Sequence, residues 1–210
     1  MSHGSSDAVA IDVVLIPPPA LDQHLRALNT HLAPPPEGFR FDETHLPHVT
    51  LVQLLVPRDR LEEMATAIED VLGTQRALAL HTTSITHEPA VSTLGVAPSP
   101  ALDLLHRQLA RRLDPFAVTL PPDGSWDSYD AFVDSGEPAR PSDLEWVRRF
   151  RERSAYDRFD PHWTLGVGRL DVSVEPMAFA ADRVALCHLG RFCTCRETLD
   201  WWTLASNPYE

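Results

Sequence analysis

The chain has 210 residues and a formal net charge of −12, with 43% hydrophobic and 23% charged residues. That length and composition suit a globular protein with one sizeable core, or two small lobes sharing one. The acidic excess argues against a non-specific gripper of long or duplex nucleic acid, which needs a basic patch; a small nucleotide or an RNA end, held by a few local arginines, remains compatible.

In chain order, residues 1–7 carry no basic stretch ahead of an apolar one, so they read as a disordered tail and not as a signal peptide. The expected location is therefore the cytoplasm, and residues 8–207 are expected to form a single domain. Residues 8–16 (AVAIDVVLI) predict a first strand, interrupted by Asp12 and stopped by Pro17-Pro18-Pro19. No apolar run approaches the roughly 20 residues that a membrane span requires. Residues 20–32 predict an amphipathic helix with Leu21, Leu25, Leu28 and Leu32 on one face and His24 and His31 toward solvent. A loop at 33–38 leads to a strand at 48–56. A helix over 59–72 follows, with Gly73 just past its end. Strands at 76–85 and 90–96 pair across Glu88-Pro89, and Ser99-Pro100 starts a third helix that runs to Leu113.

Over residues 114–141 the periodicity fades, apart from a short strand expected at 116–120. Trp126 and Tyr129 in this turn-rich stretch are candidates to stack on a base, or equally to pack down a surface loop. Residues 142–156 predict a helix with Arg148, Arg149, Arg151 and Arg153, the densest positive charge in the chain, opposite Trp146, Val147 and Phe150. Such a run is by default a solvated face. Further strands are expected at 162–167, 183–189 and 196–204. Cys187, Cys193 and Cys195 are odd in number and lack the paired spacing of zinc knuckles, so they read as free thiols.

Two of these strands start alike. Pro47-His48-Val49-Thr50-Leu51 returns as Pro161-His162-Trp163-Thr164-Leu165. A strand sends alternate side chains to opposite faces, so Val49 and Trp163 point into cores. His48 and Thr50, like His162 and Thr164, then share the other face as matched acid–base and hydroxyl pairs. Brought together across a cleft, they can hold a phosphate. A third triplet, His81-Thr82-Thr83, lacks the flanking Pro and Leu and is read as accidental. Neither a glycine-rich phosphate loop nor a Gly-x-Ser-x-Gly elbow is present.

The paired motif resembles that of the 2H phosphoesterase superfamily, the 2′-5′ RNA ligase-like family, named for two His-x-Thr motifs such as His48-Val49-Thr50 and His162-Trp163-Thr164. The resemblance implies an α+β fold of two pseudo-twofold-related lobes, each an antiparallel sheet with outer helices, around a central cleft. It implies hydrolysis of a 2′,3′-cyclic phosphate, or a related 2′-5′ or cyclic phosphodiester, on a nucleotide or RNA end. Opening such an ester by in-line displacement needs a base at the incoming water and an acid at the leaving oxygen. Two histidines suit both roles near neutral pH. Thr50 and Thr164 would donate to the non-bridging oxygens, and no cofactor or metal would be required.

The expected protein is thus a monomeric enzyme that binds a small nucleotide or an RNA 3′ end, without duplex nucleic acid or membrane. The principal alternative is a non-catalytic nucleotide or RNA-end binder on the same fold. A histidine metalloprotein using His45 and His48 with Cys187 or His188 is a third reading, at spacings that match no established ligand pattern.

Overall fold

In the computed structural model, which describes residues 8–118, 129–133 and 138–206, the apolar run at the start forms strand β1 (Ala8–Ile16), buried along both faces. Val9, Ile11, Val13 and Leu15 turn to the main core. Ala10 and Val14 turn the other way into two smaller clusters, and Asp12 lies between them in the strand. The other strands are β2 (Val49–Pro57), β3 (Leu78–His87), β4 (Val91–Val96), β5 (His162–Val167), β6 (Ala178–Ala181), β7 (Arg183–Leu189) and β8 (Cys195–Thr203). They form one eight-stranded sheet in the order β6-β3-β4-β5-β2-β1-β7-β8, with every neighbouring pair antiparallel. The fold class is α+β.

The sheet has a narrow waist. Eight residue pairs join β1 to β2, whereas β2 and β5 share one, Val49↔Trp163. Four strands lie on each side of this seam, and the two motif strands are the ones that meet there. Helices α1 (Pro19–Asn29), α2 (Leu61–Leu72) and α3 (Pro100–Leu113) send Leu21, Leu25, Met64, Ile68, Leu105 and Leu109 into the main core. Ser99 caps α3 as expected, its hydroxyl accepting from the Leu102 N–H at 3.4 Å. Helix α4 (Pro141–Ser154) covers the opposite face, where Leu144 and Val147 pack on Ala10, Leu55 and Leu189. It therefore flanks the face that carries the motif hydroxyls.

Several expectations need correction. Helix α1 stops at Asn29 instead of Leu32, because the Arg40 guanidinium takes up the terminal carbonyls of Asn29, Leu32 and Ala33 at 2.8–3.1 Å. The start of the strand expected at 116–120 is a 3-10 turn, Asp114–Phe116, with Pro115 setting its φ. Val118 bonds to the sheet, its N–H donating to Leu55 O at 2.9 Å; Thr119 and Leu120 lie outside the described residues, as does the tail at 1–7. The edge strand β6 had no counterpart among the expected elements.

Candidate active site

At the seam, Val49 and Trp163 are each 1% exposed and face each other across the strand pair. Trp163 meets Phe179 edge-on, with ring centroids 5.2 Å apart. The alternation then sends His48, Thr50, His162 and Thr164 to the opposite face, where all four line one cavity of about 670 Å³. The two histidines are held alike. His48 Nδ1 lies 2.8 Å from Leu46 O and His162 Nδ1 lies 2.8 Å from Asp160 O, each carbonyl two residues upstream. A ring nitrogen facing a carbonyl must carry the proton, so both neutral rings leave Nε2 as a bare acceptor. Burial, reinforced by the like charge of His162, pushes His48 down to about 4 and outweighs the carbonyl contact. His48 is therefore neutral at pH 7.

Thr50 stands on a bulge. The β1–β2 register runs Asp12↔Gln53, Val13↔Val52, then Val14↔Thr50, so Leu51 is the extra residue. A bulge resets the two-residue alternation, and Thr50 and Gln53, three apart, come to the same face. Both contact the Asp12 carboxyl: Thr50 Oγ1 and Gln53 Nε2 are each 2.7 Å from Oδ2. His48 Nε2 is 3.7 Å from the same oxygen. Asp12 is fully buried, and burial pushes its carboxyl up to about 8 despite those two contacts. The Thr164 hydroxyl has no hydrogen-bond partner among the described residues and faces Thr93 across the β4–β5 ladder.

Histidine also supports the bulge from behind. His106, 0% exposed on α3, donates from Nδ1 to Leu51 O at 2.7 Å and accepts at Nε2 from the Tyr156 N–H at 2.8 Å. Its ring stacks on Phe159 with centroids 4.0 Å apart. One side chain thus ties the first motif strand to the segment that leads into the second.

Aromatic rings form much of the cavity wall: Phe39, Phe41, Trp146, Phe159 and Phe192. Phe192 sits in a left-handed turn (φ 63°), where the Asp143 carboxylate accepts its N–H at 3.0 Å and the Arg140 guanidinium lies 3.9 Å from its ring centroid. Arg140, Arg153 and Arg158 supply positive charge along the same wall.

Of the other residues singled out from the sequence, Tyr129 packs against the cluster of Ala131, Phe132 and Leu144 and does not line this cavity. Trp126 lies outside the described residues. Arg149 pairs with Glu145 and Glu152, Arg151 with Asp114, and Arg153 with Glu145 at 3.7 Å; of the four arginines on α4, Arg153 is the one that lines the cavity. His81 is exposed on β3 and is not among the lining residues. The three thiols are free. The metal-ligand set considered from the sequence does not converge, since His188 Nε2 meets Ala131 O at 2.8 Å and His45 meets Asp42 and Arg196. Among the described residues, Asp12, His48 and Cys195 form the one group with ligand chemistry, their ligating atoms within 4.8 Å of one another.

A family model for the 2′-5′ RNA ligase superfamily matches residues 17–186. The chain belongs to this superfamily. Solved structures agree on the fold: Escherichia coli LigT complexed with 3′-AMP is 16% identical over 94% of this chain and 99% of its own, with a TM-score of 0.58. The protein TT0787 of Thermus thermophilus is 14% identical over 95% and 100%, with a TM-score of 0.57. No curated protein matches the sequence. Membership in the superfamily supports chemistry of the phosphoesterase or ligase type. Among the described residues no helix is long and apolar enough to cross a membrane.

Sequence reasoning missed Asp12, Gln53 and the aromatic wall. For Asp12 the available signal is a lone acid inside a nine-residue apolar strand. For the wall it is Phe39 and Phe41 flanking Arg40 shortly before the first motif.

Proposed function

We propose that this superfamily member is a metal-independent phosphodiesterase that opens a 2′,3′-cyclic phosphate, or a related 2′-5′ or cyclic phosphodiester, on a nucleotide or RNA end. One observation carries the reading: two histidines, held in the same tautomer by equivalent backbone carbonyls, face one cavity from the two strands that meet at the seam. His48, neutral at pH 7, is suited to take a proton from the attacking water. His162, in its protonated form, gives one to the departing ribose oxygen. The phosphorus–oxygen bond of the ring breaks, and a phosphomonoester and a free hydroxyl remain. Thr50 and Thr164 donate to the non-bridging oxygens, where negative charge builds.

The aromatic wall offers faces for a base, and Arg153 and Arg158 offer charge for the phosphates of a short RNA end. Structures of the fold relative LigT with 3′-AMP, NADP+ and ATP support a nucleotide ligand.

The test is hydrolysis, in EDTA, of 2′,3′-cyclic mononucleotides, a cyclic-phosphate-ended oligonucleotide, a 2′-5′ dinucleotide and cyclic ADP-ribose phosphate. Turnover of at least one by the wild type, and of none by a His48→Ala/His162→Ala variant, is expected. Tight binding without turnover would establish a binder in place of the enzyme, and activity lost in EDTA and restored by a metal would overturn the metal-free mechanism.

A further inference from the structure

The Thr50 hydroxyl has one hydrogen and two claims on it. As a phosphate ligand it must donate into the cavity, yet its oxygen lies 2.7 Å from Asp12 Oδ2. An ionised Asp12 has no hydrogen, so the hydrogen in this contact would be Thr50's own. Only oxygen lone pairs would then face the phosphate, with a buried anion behind them. If Oδ2 carries a proton, the bond reverses: Asp12 donates to Thr50 Oγ1, and the Thr50 hydrogen turns to the cavity. Oδ2 still accepts from Gln53 Nε2, because a carboxylic acid hydroxyl can donate and accept together.

The surroundings favour the proton. Asp12 is 0% exposed, and its second oxygen, Oδ1, has no hydrogen-bond partner among the described residues. Among the described residues, the titratable and charged groups around it supply no compensating cation. On the β2 side His48 is kept neutral by burial. Cys187 stands opposite on β7, with Cys195 on β8 and Cys193 in the turn between those strands. Burial raises the Cys193 and Cys195 thiols well above the ordinary range. From α4, Arg140 is paired with Asp143.

We propose that Asp12 is a positioning residue, a buried neutral carboxylic acid that donates to Thr50 Oγ1 and so aims the Thr50 hydroxyl at the substrate phosphate. The proposal rests on the reading of Thr50 as a phosphate donor. With the Asp12 carboxyl pushed up to about 8, the site loses this donor in mildly alkaline solution. Only the first motif is affected, since among the described residues no carboxyl bonds to Thr164. Asp12→Asn keeps a donor at all pH: one amide hydrogen reaches Thr50, and the other can meet Gln53 Oε1, which is also unpartnered among the described residues.

Sulfate is the probe, a tetrahedral dianion whose charge is constant over the range used. Asp12→Asn should follow the wild-type affinity at lower pH, and above about pH 8 the wild type should fall away from it by about tenfold per pH unit. The pH profile of kcat/KM on any hydrolysed substrate should part in the same way. In the wild type, independently of any variant, NMR of the Asp12 carboxyl carbon should show the neutral acid at pH 7. Curves that stay parallel for both proteins, or a carboxylate signal at pH 7, overturn the proposal. A wild type that hydrolyses none of the panel overturns the proposed function alone, because sulfate binding and the carbon signal still decide the role of Asp12.

Discussion

At the scale of single residues, Asp12 and His48 sit 3.7 Å apart and titrate in opposite directions from their ordinary values. His48 falls from 6.5 to about 4, so the folded chain holds fewer protons than the unfolded one in that window, and this contribution to stability is lost as pH falls through it. Asp12 rises from 3.8 to about 8, so its contribution is complete below the lower value and is lost as pH rises toward the upper one. Between about pH 4 and 6.5 the two slopes nearly cancel, and from about 6.5 to 8 only the Asp12 slope remains. Denaturant unfolding of the wild type should therefore lose about 2 kcal/mol between those last two values. Asp12→Asn should lose almost none, and an equal loss in both proteins would contradict this assignment. The histidines and threonines were legible because a strict two-residue period put each pair on one face. Asp12 was legible only as an interruption of an apolar strand, because its partnership with Thr50 and Gln53 depends on a bulge with no local signature.

Elements position these residues through contacts made far along the chain. Leu51 has no partner in the β1–β2 register, and its carbonyl is satisfied by His106 from α3. The same ring accepts from Tyr156, ahead of the second motif, and stacks on Phe159. His106→Ala should remove both hydrogen bonds and leave a cavity at the junction, costing about 3 kcal/mol in denaturant unfolding. A loss below about 1 kcal/mol would show that the bulge stands without it. Such links explain which elements could be read in advance. Strands β5 and β7 have the expected bounds, since each lies between clear breaks, Pro161 and Gly168 for β5 and Asp182 and Gly190 for β7. Helix α1 ends early because Arg40, eleven residues past its last residue, holds its carbonyls. Strand β6, Ala-Phe-Ala-Ala, is too short to show a period and exists because β3 offers it an edge. Gly166 ends the second motif with φ +150°, and a Cβ there would lie 3.0 Å from Leu32 and 3.1 Å from Asn29. Asn29 in turn donates to Leu165 O at 2.8 Å, so α1 helps fix the strand that carries His162.

On the scale of the whole molecule, an acidic chain places local cations along the cavity that carries the motifs. The net charge of −12 sets the general field, while Arg153 and Arg158 line the same cavity as the histidines. Such a field disfavours a long polyanion and still permits one phosphate at the seam, where desolvation strengthens each hydrogen bond. The repeated motif implied that two regions of the chain must meet. It could not show that they meet through a single residue pair in one continuous sheet, because pairing across the waist depends on all eight strands. The central claim is that His48 and His162 act together, and single substitutions test it most directly. On the preferred substrate, His48→Ala and His162→Ala should each lower kcat by at least about 10²-fold, with the double variant falling well short of the product of the two losses. His81→Ala, from the triplet outside the cavity, should leave kcat close to the wild-type value. Near wild-type turnover in either motif variant, or an equal loss in all three, would contradict the two-histidine site.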